Sequence, residues 1–75
     1  MNRQTKSNIR SKTRLIYGLV HVLKEDIDNL RIDVNSLDIN RMKETIQDTN
    51  ETIEKITDIV VDIEYIIYLN TLKWF

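Results

Sequence analysis

The segment DVNSLDIN, residues 33–40, separates two heptad patterns of apolar residues that are out of phase with each other. In both patterns the positions recur at alternating steps of three and four, as on one face of an amphipathic helix, and polar Thr49 interrupts the second pattern between Ile46 and Ile53. Between Leu37 and Ile39 the step is two, which fits neither pattern. The predicted helix–helix core contains Val20, Leu23, Ile27, Leu30, Val34 and Leu37 in the first pattern, and Ile39, Met42, Ile46, Ile53, Ile56, Val60, Ile63 and Ile67 in the second.

This break in phase predicts a change of chain direction. In one continuous helix, a two-residue step would rotate the apolar stripe by about 150° relative to its former direction. A turn removes the conflict, because both stripes can then face each other. We therefore predict an all-α fold, an antiparallel hairpin of two long amphipathic helices that resembles a coiled coil. The alternative is a single rod of roughly 95 Å with different partners on its two faces, which the absence of glycine and proline at the break keeps open.

In the hairpin prediction, the chain forms a single helical domain, residues 1–75. Residues 1–7 are expected to form a flexible basic arm, and helix 1 is expected over about 8–35, with Ser7 or Ser11 as its N-cap. A turn is expected at about 36–38 and helix 2 at about 39–72. Ser36 and Asp38 are both suitable N-cap residues for helix 2.

The composition indicates that this domain needs a partner. A chain of 75 residues buries little surface, and without cysteine it has neither disulfides nor thiolate metal ligands to stabilise it. The last segment of helix 2 is apolar on nearly all sides, which one partner helix cannot cover. We expect the hairpin to complete a helical bundle with itself, as a dimer or higher oligomer, or on another protein. The predicted partner interface contains Ile59, Val61, Ile66, Tyr68, Leu69, Leu72, Trp74 and Phe75.

Positive charge is concentrated at the start of the chain, since no acidic residue precedes Glu25. In a hairpin, these cations lie at the same end as the aromatic residues of the C-terminus. Basic and aromatic groups together can bind single-stranded nucleic acid or lie at a membrane interface, whereas the simpler interpretation is a solvated helix end or a protein contact. The residues predicted as possible phosphate contacts are Arg3, Lys6, Arg10, Lys12 and Arg14.

The sequence contains no constellation typical of an enzyme. His21 is the only histidine, there is no cysteine, and no carboxylate spacing resembles a calcium-binding loop. We expect no catalysis, no cofactor, no metal and no small-molecule substrate. The apolar run near the C-terminus is too short and too charged to span a membrane, and no signal peptide is recognised. We therefore expect a soluble protein, either intracellular or part of a virion or another large assembly.

Three functions fit these features. The first is a non-enzymatic structural subunit of a homo-oligomer or larger complex, such as a viral or phage assembly. The second is a nucleic-acid-binding regulator that uses the basic N-terminal arm. The third is a small antagonist of the immunity, antitoxin or inhibitor type, which would present a helix face to an enzyme.

Overall fold

The computed structural model describes residues 2–73, which form two long antiparallel helices joined by a short turn. Helix α1 runs Arg3–Asn35 and helix α2 runs Ile39–Lys73. The Cα positions extend over 57 × 16 × 11 Å, far less than the roughly 95 Å of a continuous rod. The predicted helical hairpin is therefore confirmed, and the rod is excluded.

The turn is a Schellman motif built without glycine. The amide of Leu37 donates to the carbonyl of Val34 at 3.1 Å, and the amide of Asp38 donates to the carbonyl of Asp33 at 3.1 Å. This pair of bonds requires a left-handed residue at the position after the helix, and Leu37 occupies it with φ 54°. The chain thus reverses through a conformation that most side chains avoid.

The helix N-termini are capped by Asn2 and Asp38. The Asn2 side chain accepts the amide of Thr5 at 2.8 Å, so α1 begins at Arg3, five residues before the expected start. Residues 3–7, expected to be a flexible arm, therefore form the first turns of this helix, and neither Ser7 nor Ser11 is its N-cap. At α2, the Asp38 carboxylate accepts the amide of Arg41 at 3.1 Å, which selects Asp38 over Ser36 as the cap.

The seam between the helices follows a regular heptad pattern. The described residues form only two helices, so a buried or half-buried side chain on the facing surface of one helix is covered by the other helix. These residues alternate in steps of three and four on both helices. On α1 they are Ile9, Lys12, Ile16, Leu19, Leu23, Asp26, Leu30 and Asp33, and on α2 Met42, Thr45, Thr49, Thr52, Ile56, Ile59, Ile63, Ile66 and Asn70.

This seam differs from the predicted core. The predicted and observed stripes share Leu23, Leu30, Met42, Ile56 and Ile63, but each helix is rotated by about 50° from the predicted orientation. The apolar stripe of each helix is wider than a two-helix seam can cover. The remaining members of the predicted core therefore flank the seam or face solvent: Val20, Ile27, Val34, Leu37, Ile39, Ile46, Ile53, Val60 and Ile67.

Over the described residues, neither helix contains a stretch long and apolar enough to cross a membrane.

Candidate assembly surface

A row of exposed apolar side chains runs along each helix beside the seam. On α2 these residues recur every seventh position, and their exposed fractions lie between 39% at Val60 and 63% at Ile39. On α1 the row is shorter, and its residue Val20 is half-buried. We call the two rows together the apolar face, which consists of Val20, Ile27, Val34, Ile39, Ile46, Ile53, Val60 and Ile67.

Helical geometry places both rows on the same side of the hairpin. Each residue of the apolar face except Ile39, the first residue of α2, directly follows a seam residue, as Ile27 follows Asp26 and Ile53 follows Thr52. One step along an α-helix rotates the side-chain direction by about 100°. Because the helices are antiparallel and face each other, this rotation turns both side chains toward the same flank. The two rows therefore lie side by side on one flank of the hairpin, one row on each helix, and form one continuous surface.

The opposite flank of the hairpin has a different character. On α2, this flank is formed by the residues that directly precede the seam residues Met42, Thr49, Ile56, Ile63 and Asn70. Four of these five preceding residues are polar, namely Arg41, Asp48, Lys55 and Asp62, and the fifth is Leu69. On α1 the corresponding positions hold the amides Asn8 and Asn29 at the two ends and the apolar side chains Leu15 and Val22 between them. Of the two flanks, the one with the apolar face therefore carries the longer apolar rows, while further exposed apolar side chains such as Tyr17, Val61 and Tyr65 lie elsewhere on the two helices.

The hairpin exposes more surface than a compact protein of its mass. Its accessible surface is 6238 Å², whereas a compact monomer of 9.0 kDa is expected to expose about 4,900 Å². The excess is about 1,300 Å². Among the described residues, no apolar side chain is buried. The two helices alone thus lack the dry core that stabilises a typical small domain.

Polar contacts replace apolar packing in the half of the seam nearest the turn. Asp33 is only 3% exposed; the Thr45 hydroxyl donates to its Oδ2 at 2.8 Å, and Arg41 Nε lies 3.4 Å from its Oδ1. One heptad further from the turn, the Thr52 hydroxyl lies 3.5 Å from Asp26 Oδ2 and donates to a backbone carbonyl of its own helix. These contacts tie the helices together in the observed rotation.

Sequence reasoning missed this polar layer, although its residues carry a signal. Asp26 and Asp33 are seven residues apart on α1, and so are Thr45 and Thr52 on α2. A heptad repeat of complementary polar residues on two helices can mark the seam as clearly as an apolar repeat. The prediction followed only the apolar residues.

The predicted partner interface is divided between two surfaces. Ile59 and Ile66 are half-buried in the seam against α1, so the hairpin itself covers them. Exposed positions are occupied by Val61, Tyr68, Leu69 and Leu72. Trp74 and Phe75 lie outside the described residues.

Four of the five predicted phosphate contacts come together on one surface of α1. Arg3, Lys6, Arg10 and Arg14, with Ser7, line a shallow open depression over the first turns of the helix. Among the described residues, none of these four cations lies within 4.0 Å of a carboxylate. We call these four cations the basic face.

Lys12 is separate from the basic face. It lies at the seam, where its Nζ is 3.5 Å from Asp62 Oδ2. It therefore bridges the two helices, and its charge is already paired within the hairpin.

Other polar residues noted in the sequence have local contacts. His21 is exposed on α1, with its Nε2 3.3 Å from Glu25 Oε1. Over residues 2–73, no group of three or more histidine, aspartate or glutamate side chains is arranged to hold a metal ion.

Comparison of the chain with protein-family models, with curated proteins and with solved structures found no match.

Proposed function

We propose that this protein is a non-enzymatic assembly subunit, which docks its apolar face on helices of other chains and so completes a helical bundle. The observation that carries the proposal is this continuous apolar face in a hairpin without a buried apolar side chain among its described residues. Exposed apolar patches of this kind are typical of protein interaction sites.

The physical reason is that the isolated hairpin has no buried apolar core among its described residues. A hairpin of two helices cannot remove two faces of each helix from water, but a four-helix bundle can. Covering Ile46 or Ile53, each close to half exposed, adds roughly 25 cal/mol for each Å² of apolar surface removed from water. The driving force for folding and the driving force for assembly are then the same.

Two neighbouring valines provide a matched test. Val60 belongs to the apolar face, whereas Val61, one step further around α2, points away from both the seam and the face. Val60→Lys should weaken self-association or partner binding about tenfold or more, because it removes about 1.5 kcal/mol of apolar burial and adds a charge to the interface. Val61→Lys should have little effect. Sedimentation equilibrium measures the association, and circular dichroism checks that both variants remain helical.

Two results would contradict the proposal. One is a wild-type chain that stays a well-folded monomer at all concentrations, with no binding partner. The other is association that is lost in Val61→Lys but retained in Val60→Lys, which would move the interface to the outer surface of α2.

A second candidate function is contact with the phosphate backbone of nucleic acid through the basic face. Its support is the convergence of four cations, each without a carboxylate nearby among the described residues, on a few turns of one helix. Neutralising about four phosphates would make the affinity fall about 100-fold between 50 and 200 mM salt.

The variant Arg10→Gln/Arg14→Gln tests this second candidate. It should weaken binding to single- or double-stranded DNA and flatten the salt dependence, because it removes half of the charges of the basic face. The control variant Lys24→Gln/Lys43→Gln removes the same number of charges elsewhere on the hairpin. Equal losses in both variants would indicate an unspecific effect of net charge and would eliminate this candidate.

A further inference from the structure

We infer that the occupant of the apolar face is a second copy of this chain, docked with its turn pointing in the opposite direction, so that two hairpins form an antiparallel four-helix bundle. This inference rests on the proposed function and names its partner. The available area, the spacing of the apolar residues and the distribution of charge support it independently.

The area of the face matches the requirement of a stable dimer. The wide side of the hairpin measures 57 by 16 Å between Cα positions, so full overlap would cover about 900 Å² of each copy. Standard-size protein interfaces cover about 800 Å² per partner. A second hairpin of the same length is therefore large enough to cover the whole face, and no larger partner is needed.

The apolar residues of α2 are arranged symmetrically about one position. Their row has five members at intervals of seven residues, and Ile53 is the middle one. Ile53 also lies within one helical turn of the middle of α2, which runs Ile39–Lys73. A twofold axis beside Ile53 would place Ile39 against Ile67 of the other copy, and Ile46 against Val60. Every apolar residue of this row would then meet an apolar residue, as a symmetric interface requires.

The charges favour opposite directions for the two copies. Asp26 lies across the seam from Thr52, so residues 25–50 make up approximately the half of the hairpin nearest the turn. This half contains seven acidic and three basic residues, a formal charge of −4. The other half contains eight basic and five acidic residues, a formal charge of +3. Opposite directions place the positive half of each copy against the negative half of the other, whereas equal directions would place like charges together.

Distances between labels on different copies test this arrangement. The chain has no cysteine, so a single cysteine can be introduced and labelled without background. Leu37→Cys places a spin label in the exposed turn. Opposite directions predict a separation between the two turns of about 50 Å, one helix length, and equal directions predict less than about 25 Å, the width of a four-helix bundle.

A mixed sample provides the reciprocal measurement. One population carries a donor fluorophore at Leu37→Cys, and the other carries an acceptor at Gln4→Cys, near the start of α1. Strong energy transfer between copies, together with the long separation between turns, would establish the inference. Close turns in an oligomer would overturn the inference but leave the proposed function intact. A folded monomer at all concentrations by sedimentation would overturn the inference, and it would overturn the proposed function as well only if the chain binds no other protein.

Discussion

Replacing the strained turn residue Leu37 by glycine should stabilise the hairpin. Leu37 has φ 54° and is 81% exposed, so its side chain contributes little packing to offset the strain. An L-residue in this conformation costs about 1–2 kcal/mol, and the greater freedom of glycine in the unfolded chain costs about 0.5–1 kcal/mol. The difference leaves Leu37→Gly more stable than the wild type by about 0.5–1 kcal/mol.

Thermal and urea unfolding followed by circular dichroism measure this gain. For a chain of this length, the expected increase in melting temperature is about 2–8 °C. Protein concentration must be the same for all variants, because association would shift the apparent stability. Leu37→Ala is the matched control: it removes most of the apolar side chain but keeps the Cβ atom that causes the strain. An alanine variant that gains as much as the glycine variant would refute the strain argument and attribute the effect to the loss of exposed apolar surface.

Four further substitutions test the helices and the polar layer by chemical denaturation. Gly18→Ala should stabilise α1 by about 1 kcal/mol, because an added Cβ atom would meet no atom within 4 Å apart from the adjoining backbone of its own helix; a loss of stability would reveal a contact at this position. Asp38→Ala should cost about 1 kcal/mol by removing the N-cap of α2, and an unchanged midpoint would rule out a capping contribution. Asp33→Ala should cost about 1–3 kcal/mol of unfolding free energy. The double variant with Thr45→Val should lose less stability than the sum of the two single losses, because each substitution removes the same Thr45–Asp33 hydrogen bond. Additive losses would show that this bond contributes nothing.

The two-residue slip in the apolar pattern was sufficient to predict two helices and a reversal between them. It carried this information because a helix cannot rotate its apolar stripe by about 150° within two residues without exposing one half. The rotation of each helix about its own axis was predicted incorrectly. Each apolar stripe is wide enough to face a partner in more than one rotation, and the choice depends on contacts such as Thr45 with Asp33 that join distant parts of the chain.

The start of α1 was also predicted incorrectly. A cluster of positive charges near a helix N-terminus opposes the helix dipole, which suggested a flexible arm. The cap at Asn2 nevertheless satisfies the amide of Thr5, and α1 begins at Arg3. Because residues 3–7 are helical, the cations of the basic face have a fixed spacing along one helix surface instead of a variable one.

Sequence by itself determined the helical character of this protein, its reversal near residue 37 and the excess of apolar surface, because each follows from the period and phase of residue types along one chain. Only the tertiary structure decided which apolar residues the hairpin covers and which it leaves on the apolar face. That division depends on how two antiparallel helices are rotated against each other, and the buried polar contacts between them select one rotation.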